Sequence, residues 1–311
     1  MDEYIGYTVD PSLRGRLFRY GQIIGLLSRL RRQQFDAFVY LIRSERNPFA
    51  LKRDIAFFKL SGIKRFIGHQ GFKSFPPRVA RQPLPMVPHQ VDQILDRLTF
   101  SGIPIPPPGR RKMDLNIGNH EKEVIKQWVR SLPIDKGRNW IAVAPGSKMA
   151  VKIWPLDRYA RLVAQLIEDH DIWPVVFGGS EDRKLGEILI KEWNRGYVAA
   201  GQLNIRQGIA ALQKCTFYLG NDTGTMHMAV AAGISCVAIF SSRDYPGNWY
   251  PYGNGHIVFR TPIDCEGCML ERCVKRGMKC ILSIDEDQVY AAAEHLLSKA
   301  ACTKESISSN S

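Results

Sequence analysis

Residues 216–232 read TFYLGNDTGTMHMAVAA. Phe217, Tyr218 and Leu219 have the composition of a buried strand, and Met226, Met228 and Ala229 to Ala232 suit a helix packed closely on a sheet. The chain therefore breaks at Gly220 and restarts at once as a helix, with Asn221, Asp222, Thr223, Gly224, Thr225 and His227 at the break. Thr223 or Thr225 is the expected N-cap. The free N–H groups and positive dipole end of such a helix attract a phosphate or carboxylate, and Gly224 lets a ligand approach the backbone. His227 falls about one turn into the helix, within reach of the same anion; a histidine satisfied inside the fold is the other reading. Junctions of this kind also serve as plain capping in α/β proteins, so the motif gains its meaning from its neighbours.

Those neighbours alternate as β and α from Asn139 onward. NWIAVAPG reads as a strand, LDRYARLVAQLIEDH as a helix, WPVVFGGS as a strand and EDRKLGEILIKEW as a helix. IRQGIAALQKC is then a helix, the opening stretch a strand and a helix, SCVAIFS a strand, and DEDQVYAAAEHLLSK a closing helix. This pattern predicts a parallel α/β unit with its ligand beyond the carboxyl ends of the strands. Ser147 and Lys148, Gly178 to Glu181, Asn221 to Thr225 and Ser241 to Asp244 follow successive strands and should meet at one cleft.

The first part of the chain is less regular. A helix is expected over 17–32, a buried strand over Phe35 to Ile42, a helix from Pro48 to Leu60 and a further strand at IKRFIGH. Residues 75–113 are proline-rich and aperiodic, so they read as a loop and connecting segment, and EKEVIKQWVRSL as a helix at the domain junction. CTKESISSNS reads as a disordered tail.

With 311 residues, 45% hydrophobic and 23% charged, the chain has the composition of a globular protein long enough for two domains. No apolar run reaches the roughly 18 residues of a membrane span, and the acidic, polar opening MDEYIGYTVD is unlike a signal peptide. A cytoplasmic location is the expectation. The net charge of +13 calls for an acidic partner. That partner could be nucleic acid, an anionic membrane face or a phosphorylated substrate, and no nucleic-acid module accompanies the basic runs. Cys265, Cys268, Cys273 and Cys280 form a C-x2-C-x4-C-x6-C array. Such spacing can hold a structural zinc; reduced thiols or a labile disulfide pair are the alternatives.

The runs APGSKMAVKIWPLDRYARL, VVFGGSEDR and AALQKCTFYLGNDTGTMHMAVAAG, in that order, resemble glycosyltransferase family nine, the ADP-heptose:lipopolysaccharide heptosyltransferases. The resemblance implies an α/β fold of GT-B type: two Rossmann-like domains with parallel sheets, the N-terminal one incomplete in this chain. It divides the chain into an acceptor-side domain over 1–115, a linker over 116–138, a domain for the nucleotide-sugar donor over 139–300 and a tail over 301–311. It further implies that Ser147, Lys148 and Lys152 contact the donor diphosphate, that Glu181 contacts the ribose, and that Asp222, Thr223, Gly224 and His227 bind phosphate and sugar. Arg43 and Arg46, near Lys52 and Arg53, are candidates for the acidic acceptor. The implied activity is inverting transfer of a sugar, heptose from ADP-heptose, to a lipopolysaccharide core or related acidic glycan at the inner face of the cytoplasmic membrane. No cofactor is required for that chemistry. The family's Gly-Asp loop, which bears the catalytic base, has no match here, and Asp2, Asp10 and Asp36 are not in its context. The alternative is therefore an inactive remnant that binds the nucleotide sugar.

Overall fold

The computed structural model describes residues 13–43, 47–79, 82–133, 137–274 and 276–308. The chain divides into two compact units, Met1–Pro76 with Gln90–Pro107, and Pro77–His89 with Pro108–Ser311. The excursion of 77–89 into the second unit was not foreseen from sequence, where this proline-rich stretch reads as a loop.

In the first unit, α1 (Leu13–Gln33), β1 (Ala37–Val39), α2 (Pro48–Leu60), β2 (Arg65–Ile67) and α3 (Gln90–Thr99) follow one another. Pro48 opens α2 behind Asn47, whose side chain accepts the Phe49 N–H at 2.9 Å. Strands β1 and β2 pair in parallel, Phe38 opposite Phe66. Phe38 stacks on Phe58 of α2 with ring centroids 3.8 Å apart, and Tyr40 donates to Asp54 at 2.7 Å. The expected buried strand over 35–42 shrinks to three residues, and Val39 and Leu41 are exposed. Helix α3 lies where no element was expected. It carries a buried Arg97, whose guanidinium sits 4.1 Å from the Phe72 ring and donates to the Ile42 carbonyl.

The second unit holds α4 (Asn119–Ser131), β3 (Trp140–Ala144), α5 (Leu156–His170), β4 (Trp173–Val176), α6 (Arg183–Trp193), β5 (Tyr197–Val198) and α7 (Ile205–Leu212). Then come β6 (Phe217–Asn221), α8 (Gly224–Ala231), β7 (Ser235–Phe240), β8 (Ile257–Arg260), α9 (Lys279–Leu282) and α10 (Glu286–Ser308). The six strands form one parallel sheet in the order β5-β4-β3-β6-β7-β8. Strands β3 and β6 are buried along their whole length, which is why they read as apolar runs without alternation. One face of the sheet, with Ile141, Val143, Leu219 and Ile239, packs on α5 and α10 through Leu162, Leu166 and Ala293. On the other face, Ala142, Tyr218 and Ala238 pack on α7 and α8 through Ile209, Leu212 and Met226.

Helix α4, in the stretch read as a linker, belongs to this second core: Ile125 is fully buried there and α4 packs on α7. The segment 77–89 is fastened to the same unit, with Val87 N–H donating to the Pro246 carbonyl at 2.9 Å. Gly247 permits that approach, having a left-handed backbone (φ +89°) where a Cβ would strike the Val87 carbonyl. The stretch from 301 expected as a disordered tail continues α10 to Ser308.

Candidate functional site

Strand β3 leads through Pro145 and Gly146 into a loop that ends in a 3-10 turn, Ala150–Lys152. Strand β4 leads through Gly178 and Gly179 into a second 3-10 turn, Ser180–Asp182, and β6 leads directly into α8. The chain runs outward from β3 to β5 and then returns to β6 beside β3, so two adjacent loops part company between β3 and β6. This is the switch point at which open α/β sheets bind ligands. A cavity of about 520 Å³ opens there.

Seven of the residues implied by resemblance line this cavity: Ser147, Lys148, Lys152, Glu181, Asp222, Thr223 and Gly224. Lys152 Nζ lies 2.5 Å from Asp222 Oδ2, with both side chains largely buried. Burial pushes the Asp222 carboxyl up, against the opposing pull of the Lys152 charge. Thr223 is the N-cap of α8, with extended backbone and no side-chain capping bond, so the helix start faces the cavity without a side chain closing it. His227 follows one turn in and is not among the cavity-lining residues. Its ring meets Trp249 edge-on at 6.3 Å, and Nδ1 is buried without a hydrogen-bond partner among the described residues. Burial, with the Lys152 charge second, lowers the His227 pKa to about 4. The imidazole is therefore neutral near pH 7, and the cation of this corner is Lys152 rather than the histidine.

Asn221, grouped with the anion-binding loop in the sequence, has a different task. It is fully buried, its Oδ1 accepts from Trp154 N–H at 3.1 Å and Tyr159 O–H at 3.0 Å, and its Nδ2 donates to the Pro145 carbonyl at 2.7 Å. One amide thus ties the end of β6 to the β3 loop and to the segment just after Lys152, fixing both sides of the cavity mouth.

Asp182 is a cavity residue that sequence reasoning missed. Its Oδ2 accepts the Gly179 N–H at 3.0 Å, and a Cβ at Gly146 or Gly178 would overlap the carboxylate. Burial raises its pKa; the Gly179 hydrogen bond and the Lys148 charge oppose that shift. The available signal was the glycine pair before Ser-Glu-Asp, which leaves room for a carboxylate between two loops. Phe177, Leu203, Ile205 and Met228 supply an apolar wall. The cavity thus offers cations and a helix start to an anion, carboxylates Glu181 and Asp182 to hydroxyl groups, and an apolar surface to a flat ring.

The cysteines of the array lie in one neighbourhood, with Cys268, Cys273 and Cys280 all near enough to Cys265 to add to the upward shift of its thiol that burial begins. Among the described residues no group of three or more His, Cys, Asp or Glu side chains is placed to hold a metal ion. Cys280 packs in the core, and Cys273 Sγ accepts the Met278 N–H at 3.3 Å. The loop is instead held by Arg243, which donates to the Met269 and Leu270 carbonyls at 2.8 Å, and by a buried pair, Arg260 Nη2 to Glu266 Oε2 at 2.7 Å. Of the acceptor candidates, Arg43 is an exposed residue of the first unit and Arg46 lies outside the described residues.

A parallel sheet in this order with a polar cavity at its switch point is the ligand-binding half of a Rossmann-like α/β protein. The family described as glycosyltransferase family 9 (heptosyltransferase) matches residues 75–279, well over half of the chain, and the chain belongs to it. Lipooligosaccharide heptosyltransferase 2 of Campylobacter jejuni is 23% identical over 171 residues, covering 53% of this chain and 53% of that protein. The chain thus spans about half the length of this curated relative. A glycosyl transferase family 9 structure from Veillonella parvula is similar with a TM-score of 0.65 and 22% identity, over 90% of this chain and 80% of that one. The E. coli ADP-heptose lps heptosyltransferase II structure gives a TM-score of 0.60 at 19% identity, over 90% and 82%. These likenesses show the fold, which is α/β of GT-B type with parallel sheets.

Proposed function

We propose that the chain is a glycosyltransferase of lipopolysaccharide biosynthesis whose second unit holds ADP-heptose. The carrying observation is that the switch point gathers Lys148, the uncapped start of α8 and a Lys152 held in place by its pair with Asp222. The donor diphosphate would lie against Ser147, Lys148, Lys152 and the N–H groups at Thr223 and Gly224. Glu181 would accept from the ribose, and the apolar wall would receive the base. In an inverting displacement the anomeric carbon takes the acceptor oxygen on one face as the diphosphate leaves from the other. Negative charge grows on the leaving group, and groups already aimed at it stabilise that charge without reorganising.

The acceptor fitting this reading is an acidic glycan of the lipopolysaccharide core, met at the inner face of the cytoplasmic membrane, with Arg43 and Arg46 as its candidate contacts. Among the described residues no helix is long and apolar enough to cross a membrane. The name of the E. coli structural neighbour favours ADP-heptose over other donors. The alternative reading is a chain that binds the nucleotide sugar without transferring it. The deciding experiment is ADP release from ADP-heptose with a heptose-deficient lipopolysaccharide acceptor: acceptor-dependent release supports transfer, whereas donor binding without release leaves the binding-only reading.

A further inference from the structure

At the amino ends of the central second-unit strands β3 and β6, away from the carboxyl ends that carry the donor cavity, lies another concavity, of about 360 Å³. Lys126, Val129 and Arg130 of α4, Arg138 and Trp140 at the entry to β3, and Lys214 between α7 and β6 line it. Four of these six side chains are cationic and, among the described residues, no acid lines the concavity. An adjoining concavity shares Lys126 and Lys214 and adds Lys122 together with one acid, Glu123. Lys122, Lys126 and Arg130 recur every fourth residue, so α4 carries a like-charge stripe along one face, which works against the helix itself.

Carboxylates outside the lining anchor part of the group. Arg138 Nε pairs with Asp171 at 2.8 Å, and Lys126 with Glu123 at 3.0 Å. The floor is rigid, since Trp140 is buried and Ile125, one position before Lys126, is fully buried in the core. Cations that line one concavity repel one another and lower the energy of a multiply charged anion that enters between them. Beside the anchored Arg138 and Lys126, the Arg130 guanidinium fork and the Lys214 ammonium group suit the tetrahedral oxygens of a phosphate better than a lone carboxylate.

We propose that this concavity binds a phosphoryl group, at a site separate from the donor cavity. Its source is either a phospholipid headgroup or a small soluble phosphate, and the test separates the two. Full-length chain is titrated with inorganic phosphate by calorimetry and sedimented with vesicles of phosphatidylglycerol in phosphatidylcholine, at low and raised salt. Lys152→Ala, which weakens phosphate binding in the donor cavity, is compared with wild type and with the Arg130→Ala/Lys214→Ala double variant built in the Lys152→Ala background. Binding should persist in Lys152→Ala, weaken roughly tenfold or more in the double variant and fall with salt. Vesicle binding with this pattern identifies a headgroup; phosphate binding alone identifies a soluble ligand. Lys126→Gln, at an exposed helix position, replaces the double variant if that fails to fold. Binding lost in Lys152→Ala, retained in the double variant, or absent for both probes overturns the proposal.

Discussion

His227 illustrates how one side chain couples the site to stability. Its pKa is lowered from 6.5 to about 4, chiefly by burial, so the folded state holds it neutral where the unfolded chain takes up a proton. Between these values the unfolded state binds more protons, and stability rises with pH. The contribution is whole above pH 6.5, and by pH 4 about 3 kcal/mol of it is lost. The melting temperature of wild type should therefore fall more steeply from pH 7 to pH 5 than that of His227→Gln; parallel curves would remove this role. Gly146 is the second test at this scale. Alanine there would overlap the Asp182 carboxylate and displace the β4 loop. Donor-nucleotide affinity should drop roughly tenfold with the circular dichroism spectrum kept, and unchanged affinity would show that Asp182 does not shape the cavity.

The element that organises the cavity is the β6–α8 junction, and Asn221 is its fastener. Asn221→Ala leaves the Trp154 N–H, the Tyr159 O–H and the Pro145 carbonyl without this partner in a buried place. Urea denaturation should show a loss of about 2 to 4 kcal/mol, with donor binding weakened in the same protein. Much of this element was legible in advance. Strand composition to Leu219, a glycine, and small helix-forming residues after Thr225 placed the junction, and the flanking βα periods placed the parallel sheet. The reach of Asn221 across two loops was not legible, because its partners are 62 to 76 residues away in sequence. Strand β8 escaped for a different reason: its four half-buried residues at the sheet edge carry neither an alternating nor a fully apolar pattern. Helix α3 was obscured by the prolines on both sides of it, although Val91, Ile94, Leu95 and Leu98 keep a helical period.

At the scale of the whole molecule, the chain leaves its first unit at Pro76, joins the second, returns at Gln90 and leaves again at Pro107. The segment between is held to the second unit by Glu266, whose Oε1 accepts the Leu84 N–H at 2.5 Å while Oε2 pairs with Arg260. Glu266→Ala would strand a buried guanidinium, and a loss of about 3 to 5 kcal/mol in urea denaturation is expected. A loss below 1 kcal/mol would mean that this fastening carries little of the fold. The central claim, that the second unit is a donor site for an ADP sugar, is tested most directly by calorimetric titration of the whole chain with ADP, ADP-heptose, UDP and GDP, in wild type and Lys152→Ala. The account predicts selective binding of the two adenine ligands, weakened at least tenfold by loss of Lys152. Equal binding of all four nucleotides, or affinity indifferent to Lys152, would contradict it.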